Sequence, residues 1–90
     1  MNTRNFLKFD LGKLNPDKIV EVTLRGDAAN VRLLNESNMY NYEHVREYRG
    51  FGGLATKSPF EIKIPSHDHW FIVVDMKGLV GTPNASVKVR

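Results

Sequence analysis

The sequence predicts an all-β domain, folded as a compact antiparallel β-sandwich or a partly open barrel of about 6–8 short strands. Apolar residues recur with period two in several segments, which places them on one face of a half-buried strand. Turn-forming residues separate these segments at intervals of roughly 8–12 residues, the spacing of a sandwich or barrel. No segment has a long amphipathic helical pattern. We therefore expect residues 1–90 to form one β domain.

Six segments are predicted strands. In chain order they are Phe6–Leu11, Val20–Arg25, Val31–Leu34, Phe60–Ile64, Trp70–Met76 and Val87–Arg90. The fifth is apolar on both faces until Asp75, which is typical of a central strand. The predicted core consists of Val20, Val22, Leu24, Val31, Leu33, Phe60, Ile62, Trp70, Ile72, Val74, Val87 and Val89.

The segment from Ser37 to Tyr48 has two interpretations. A short helix behind a Ser37 cap would align Met39, Tyr42 and Val45. An extended ribbon would instead place on one face Tyr40, Tyr42, His44, Arg46 and Tyr48. Because Glu43 and Glu47 would repel each other at helical spacing, the ribbon is favoured.

Composition limits the class of protein. There are no cysteines, which excludes disulfides, thiolate nucleophiles and cysteine-ligated zinc and fits a cytoplasmic location. The net charge of +3, from 13 basic and 10 acidic residues, is mild and scattered. No apolar run is long enough for a signal peptide or a membrane span, so no membrane partner is expected.

Motifs for catalysis are missing from the sequence. No serine has the context of a nucleophile elbow, and neither a phosphate loop nor a dinucleotide fingerprint occurs. A chain of 90 residues leaves little room for a large pocket beside its core. We therefore expect a protein that is not an enzyme and that carries no cofactor.

Recognition-type residues are concentrated between Asn30 and Trp70. All three tyrosines, all three histidines and the single tryptophan lie there, and such amphipathic groups form binding surfaces. The candidate ligand-binding residues are Asn30, Arg32, Tyr40, Tyr42, Arg46, Tyr48, Arg49, Gly52, Gly53, His69 and Trp70. They suit an unknown small polar or anionic ligand, or a protein partner.

Some of these residues also have a purely structural interpretation. In a strand, Asn30 and Arg32 share the face opposite Val31 and Leu33, where they form either a polar recognition pair or a turn and a surface ion pair of little energetic value. For Trp70, a core position is favoured over a position on the rim of a site.

A glycine-rich motif follows Tyr48. Arg49-Gly50-Phe51-Gly52 resembles the start of the RNA-recognition-motif signature, in which aromatic side chains stack on bases. Gly53 and Thr56, however, stand where that signature needs aromatic residues. A tight turn or bulge with close backbone approach is therefore favoured, and nucleic acid is an unlikely partner.

His67-Asp68-His69 is the candidate metal motif. Histidines at i and i+2 share one face of a strand, and Asp75 or His44 could complete a site for a metal-dependent enzyme. Pro65 and Ser66 precede the motif and indicate a loop in which histidines are solvated. The loop interpretation is favoured, so no metal ligands are predicted.

The order and spacing of several short motifs resemble a known family. These motifs are Asn30-Val31-Arg32-Leu33, Ser37-Asn38, Gly52-Gly53, Ser58-Pro59, His69-Trp70 and Val74-Asp75 followed by Gly78. Over roughly residues 9–89 the chain is similar to the small bacterial domain-of-unknown-function family 1883. The resemblance implies a bacterial β domain, sometimes joined to a TIR-type domain, with TIR-type signalling proteins as one partner class. It carries over no catalytic residues.

The sequence thus predicts a non-enzymatic binding or interaction module. The alternatives are a self-associating structural protein that forms a homo-oligomer through exposed sheet edges, a nucleic-acid binder, and a metal-dependent enzyme that uses His67 and His69.

Overall fold

The computed structural model describes residues 5–26 and 28–90. Those residues form seven strands and one α-helix. In chain order they are β1 (Phe6–Leu14), β2 (Ile19–Leu24), β3 (Ala29–Asn35), α1 (Glu36–Glu43), β4 (Phe51–Ala55), β5 (Phe60–Lys63), β6 (Asp68–Asp75) and β7 (Ala85–Val89). Across the same residues, no helix is both long and apolar enough to cross a membrane.

The strands form two antiparallel sheets. The four-stranded sheet has the order β1-β6-β3-β4, and the three-stranded sheet has the order β5-β2-β7. Because the two sheets remain separate and do not close on each other, the fold is a β-sandwich, and the all-β prediction is confirmed. The seven strands lie within the predicted number.

The main core lies between the two sheets. Alternate side chains along the strands form this core. Val20 and Val22 from β2 and Val31 and Leu33 from β3 are fully buried there. All twelve residues of the predicted core lie in this cluster, either buried or half-buried against it. Trp70 is 4% exposed and its indole Nε1 donates to the Ser66 carbonyl oxygen at 2.9 Å, so its core position is confirmed.

A second, smaller core covers the outer face of the four-stranded sheet. Strand β6 is paired on both sides, and its alternate residues Phe71 and Val73 face away from the sandwich. Helix α1 packs Met39 and Tyr42 against them and against Leu34. The predicted central strand is therefore buried on one face by a sheet and on the other by a helix.

The ribbon predicted for residues 37–48 is wrong. Helix α1 spans Glu36–Glu43, and its N-cap is Asn35, whose Oδ1 accepts the backbone N–H of Asn38 at 3.1 Å. The expected repulsion within the helix does not arise, because α1 ends before Glu47 is reached. Glu43 instead pairs with Lys8, at 2.8 Å from its Nζ.

Two loop predictions hold only in part. The glycine-rich motif does make the predicted close backbone approach at Gly52, but from Phe51 onward it forms the edge strand β4, in which Gly52 pairs with Arg32 and Gly53 with Val31 of β3. The His67-Asp68-His69 motif is not wholly a loop either, because β6 begins at Asp68. In both places the backbone hydrogen bonds to a neighbouring strand outweigh the local turn preference.

Candidate ligand-binding surface

Asp75 is a buried carboxylate at the end of β6, with only 3% of its surface exposed. Four donors from different parts of the chain bind it. Asn30 Nδ2 donates to Oδ1 at 2.8 Å and Arg32 Nε donates to Oδ2 at 3.0 Å. The Tyr42 hydroxyl donates to Oδ2 at 2.6 Å, and the backbone N–H of Lys77 donates to Oδ1 at 3.1 Å. Strand β3, helix α1 and the segment after β6 are thereby joined at one side chain.

These hydrogen bonds keep Asp75 ionised. Burial by itself would raise the pKa of its carboxyl group, but hydrogen bonds from Tyr42, Arg32, Asn30 and the Lys77 backbone lower the pKa to about 2. For Arg32, burial opposes the charged form, but the hydrogen bond to Asp75 raises its pKa above the ordinary value. The pair is therefore charged throughout the neutral range.

Arg32 is held on two sides and open on a third. Its Nε is bound to Asp75, and its guanidinium carbon lies 5.8 Å from the centre of the Tyr48 ring. Tyr48 packs edge-on against Tyr42, with ring centres 5.1 Å apart. Within the described part of the chain, the terminal Nη nitrogens of Arg32 have no acceptor.

A small cavity adjoins this arginine. It has a volume of about 60 Å³. We call it the arginine cavity. It is lined by Arg32, Tyr48, Gly50, Phe51, Gly52 and Gly53. Gly52 has a φ of +108°, and a Cβ built there would lie 2.2 Å from the Val31 carbonyl oxygen, so only glycine allows β4 to approach β3 this closely.

A larger groove of about 460 Å³ begins at the same strand. We call it the aromatic groove. It is lined by Asn35, Asn38, Arg49, Gly50, Phe51, Pro65, Ser66, Asp68 and Trp70. Phe51 is 51% exposed and packs edge-on against Trp70, with ring centres 6.1 Å apart. Beside it, a polar recess of about 350 Å³ is lined by Asn38, Asn41, Glu47, Tyr48 and Arg49.

These three depressions share lining residues and lie around residues 48–53. Gly50 and Phe51 border both the arginine cavity and the aromatic groove, Arg49 borders both the groove and the polar recess, and Tyr48 borders both the recess and the cavity. We call this the 48–53 surface. Of the predicted site residues, it brings together Arg32, Tyr48, Arg49, Gly52, Gly53 and Trp70. Asn30 and Tyr42 lie behind it, as donors to Asp75.

Three predicted site residues lie elsewhere. Tyr40 stacks on His44 with ring centres 3.9 Å apart, and the Arg46 guanidinium lies 5.6 Å from the Tyr40 ring, so these residues form a separate patch at the end of α1. His69 stacks on Phe71 and binds Asp10 of β1 at 2.7 Å from its Nε2. Because β1 and β4 are opposite edges of the sheet, His69 belongs to the far side.

Residues that the sequence did not suggest as ligand contacts also line the surface. In the sequence, Phe51 stands out only within the Arg49-Gly50-Phe51-Gly52 motif, and Asn38 only within the family motif Ser37-Asn38. Asp75 lies behind the surface, and the sequence suggests it only as a candidate metal ligand and as part of a family motif. Its position at the end of an otherwise apolar strand was the available signal, because a buried carboxylate requires donors, and Asn30 and Arg32 occupy the facing strand.

The two histidines of the candidate metal motif are hydrogen-bonded to residues far away in the sequence. His67 Nδ1 lies 2.6 Å from Asn15 Oδ1, and His69 is bound to Asp10. In the described residues, no three histidine, aspartate or glutamate side chains come together as metal ligands.

Comparison with known proteins identifies the family. Neither the curated proteins nor the solved structures give a match. Residues 4–90, nearly the whole chain, match the family described as a domain of unknown function, DUF1883. The match covers every strand of the sandwich and the whole 48–53 surface, and the chain therefore belongs to the DUF1883 family.

Proposed function

We propose that this domain is a non-enzymatic binding module that recognises a polar or anionic group of a small molecule or of a protein partner at the 48–53 surface. One observation carries the proposal. The lining of the three depressions includes two arginines, Arg32 and Arg49, and a half-exposed aromatic ring, Phe51. Neither guanidinium has its terminal nitrogens occupied within the described residues.

The groove combines the two kinds of contact that a ligand needs. Phe51, Pro65 and Trp70 supply apolar surface, whereas Arg49 and Asp68 supply charge at its edges. Binding sites are commonly apolar clefts with a few well-placed polar groups. A volume of about 460 Å³ suits a small molecule or a few side chains of a partner.

Hydrogen bonds hold the walls of the groove in place. Asn38 Oδ1 accepts the Arg49 backbone N–H at 2.8 Å, and Asn38 Nδ2 donates to Asn35 Oδ1 at 2.8 Å. Asn35 Nδ2 in turn donates to Asp68 Oδ2 at 3.3 Å. Because these side chains are ordered before a ligand arrives, binding costs less conformational entropy.

A ligand screen by ¹⁵N-correlation NMR tests the proposal. The library contains carboxylates, phosphates, nucleotides and short peptides, and a binder is expected to shift the amide signals of residues 48–53. Arg49→Ala is expected to weaken binding, because the exposed Arg49 side chain lines both the aromatic groove and the polar recess. Arg46→Ala is the matched control, since Arg46 lies in the separate Tyr40 patch.

The proposal fails if no compound in the library binds at millimolar concentration. It also fails if Arg49→Ala combined with Phe51→Ala leaves the affinity unchanged. On the family resemblance, TIR-type signalling proteins are the first protein partners to add to the screen.

Self-association is the second candidate function, favoured by the exposed edge strand β4. Its outward side chain Leu54 is 57% exposed, and the strand pairs only with β3 among the described strands. If β4 joins two copies, light scattering at high concentration should give a dimer mass, and Leu54→Lys should restore the monomer. A monomeric mass for the unmodified protein would exclude this function.

A further inference from the structure

We propose that the arginine cavity is an oxyanion subsite, which takes the carboxylate or phosphoryl group of the ligand. The inference rests on the proposed function and gives the chemical class of the group recognised there. It follows from the donors that remain on Arg32, from the way that side chain is fixed, and from the space that the glycines leave beside it.

Arg32 has donors to spare. A guanidinium carries five N–H groups, and the bond to Asp75 uses the one on Nε. The four N–H groups on the two Nη nitrogens have no acceptor within the described residues. No buried side-chain nitrogen or oxygen in that part of the chain lacks a partner, so these nitrogens are open to solvent. Two Nη nitrogens form the planar fork that binds a carboxylate or phosphate through two hydrogen bonds.

The fork is fixed before a ligand arrives. Asp75 is 3% exposed and holds the Nε side of the guanidinium, and the Tyr48 ring lies against it. Tyr48 is itself packed against Tyr42. An arginine restrained in this way loses little side-chain entropy when it binds. A lysine at this position would present a single rotating ammonium rather than a fork.

The glycines leave room for a small group. Gly52 pairs with Arg32 across the β3–β4 register, and on that side the cavity is lined by Gly50, Gly52 and Gly53, which carry no side chains. The resulting volume of about 60 Å³ exceeds what one water requires, on the order of 10–15 Å³. It suits a carboxylate or a phosphoryl group.

Recognition at this subsite relies on geometry more than on net charge. Arg32 is balanced by Asp75, and Arg49 shares its recess with Glu47. A positive field that draws in every anion is therefore not expected. The subsite should select groups whose two oxygens match the two Nη nitrogens.

Ring-matched probes test the subsite directly. Benzoate and phenyl phosphate are titrated into ¹⁵N-labelled protein at constant ionic strength, with benzamide and benzyl alcohol as neutral counterparts. We expect the anions to shift the Arg32 Nε–H signal and the Gly52 and Gly53 amides, and the neutral probes to leave these signals in place. Tighter binding of phenyl phosphate identifies a phosphoryl ligand, and tighter binding of benzoate identifies a carboxylate.

Variants then separate the fork from the charge. Arg32→Lys retains the charge and is expected to weaken binding of the anions by roughly tenfold or more, the loss expected for a charge-assisted hydrogen bond. Arg46→Lys is the matched control and should bind as the unmodified protein does. Thermal unfolding checks that both variants are folded. If Arg32→Lys does not fold, the comparison of anionic and neutral probes on the unmodified protein tests the subsite.

The subsite is disproved if anionic and neutral probes give the same shifts, or if folded Arg32→Lys binds the anions as tightly as the unmodified protein. Probes that shift the Arg49 and Phe51 amides but not the Arg32 side chain would disprove the subsite and leave the proposed binding function standing. A screen in which nothing shifts residues 48–53 would disprove both.

Discussion

Asp75 is the residue that joins helix α1 to the outer face of the four-stranded sheet, and we call that helix and the small core beneath it the outer layer. Its four donors compensate for the loss of water around a carboxylate that is 3% exposed. Removal of its charge would leave Arg32 half-buried without a counter-ion, and breaking one partner of such a pair is more costly than the pair is stabilising.

Asp75→Asn is therefore expected to lower the free energy of unfolding by about 2–4 kcal/mol, as measured by urea denaturation. Glu43→Gln makes the same chemical change at an exposed ion pair with Lys8 and should cost no more than about 0.5 kcal/mol. Equal effects at both positions would contradict the role given to the Asp75 network.

The same carboxylate should make stability depend on pH in acid. Its pKa is about 2 in the folded protein, against an ordinary value of 3.8. Above about pH 4 the carboxylate is ionised in both states and its contribution is complete. As the pH falls towards 2 the unfolded chain binds a proton first, so the free energy of unfolding should drop by about 2 kcal/mol. Denaturation curves between pH 5 and 2 should show this drop in the unmodified protein, and Asp75→Asn should lack that part of it.

Gly52 provides a second prediction at the residue scale. Its φ is +108°, and a Cβ would lie 2.2 Å from the Val31 carbonyl oxygen, whereas Gly81 has a φ of +115° with its nearest neighbour at 3.9 Å. Gly81→Ala therefore carries only the backbone strain, about 1–2 kcal/mol. Gly52→Ala carries the clash as well and should cost at least about 2 kcal/mol more. Similar melting temperatures for the two variants would show that the close approach of β4 to β3 is not what requires glycine at position 52.

At the scale of the element, the beginning of helix α1 is set by Asn35. Its Oδ1 accepts hydrogen bonds from the Asn38 backbone and side chain, whereas the Ser37 hydroxyl makes only a long contact of 3.4 Å with the same oxygen. Asn35→Ala is expected to lower the free energy of unfolding by about 1 kcal/mol. Ser37→Ala should leave the free energy of unfolding almost unchanged. A larger loss of stability for Ser37→Ala than for Asn35→Ala would contradict the assignment of Asn35 as the N-cap.

The elements differ in how well the sequence reveals them. Six strands were predicted: three from apolar alternation, which reflects a sheet with one buried face, one from a run that is apolar on both faces, and two from shorter or less regular patterns. Strand β4 was missed, because glycines at positions 52 and 53 suggest a turn when no neighbouring strand is known. Helix α1 was the less favoured of two interpretations for a related reason. It buries only Met39 and Tyr42, and the sheet surface that stabilises it comes from distant β3 and β6.

At the scale of the whole molecule, β6 is shared by both cores. Ile72 is fully buried in the main core, and a lone aspartate there would be an unpaired buried charge. Ile72→Asp is expected to abolish cooperative thermal unfolding. Val80→Asp makes a comparable change at a side chain that is 98% exposed and should leave the transition in place. A cooperative transition in Ile72→Asp would contradict the central position of β6.

The sequence predicted part of the candidate surface. Tyr48, Arg49, Gly52 and Gly53 are neighbours in the chain, so their grouping followed directly from the sequence. The addition of Arg32 depends on the pairing of β3 with β4, and the exclusion of His69 depends on the order β1-β6-β3-β4. These long-range arrangements are properties of the folded sheet, and local patterns do not encode them.

Asp75 joins the helical layer to the sheet at a single carboxylate, and this has a consequence for amide hydrogen exchange. Helix α1 has eight residues and rests on a small core of five buried side chains, whereas the sandwich beneath retains its own larger core. The outer layer can therefore detach as a cooperative unit while the sheets stay paired. Amides of α1 should exchange faster than those of β3 and β6, and Asp75→Asn should speed exchange in α1 more than in the inner strands. Small anions that fill only the arginine cavity, whose lining includes no residue of α1, would then slow exchange in that helix without touching it.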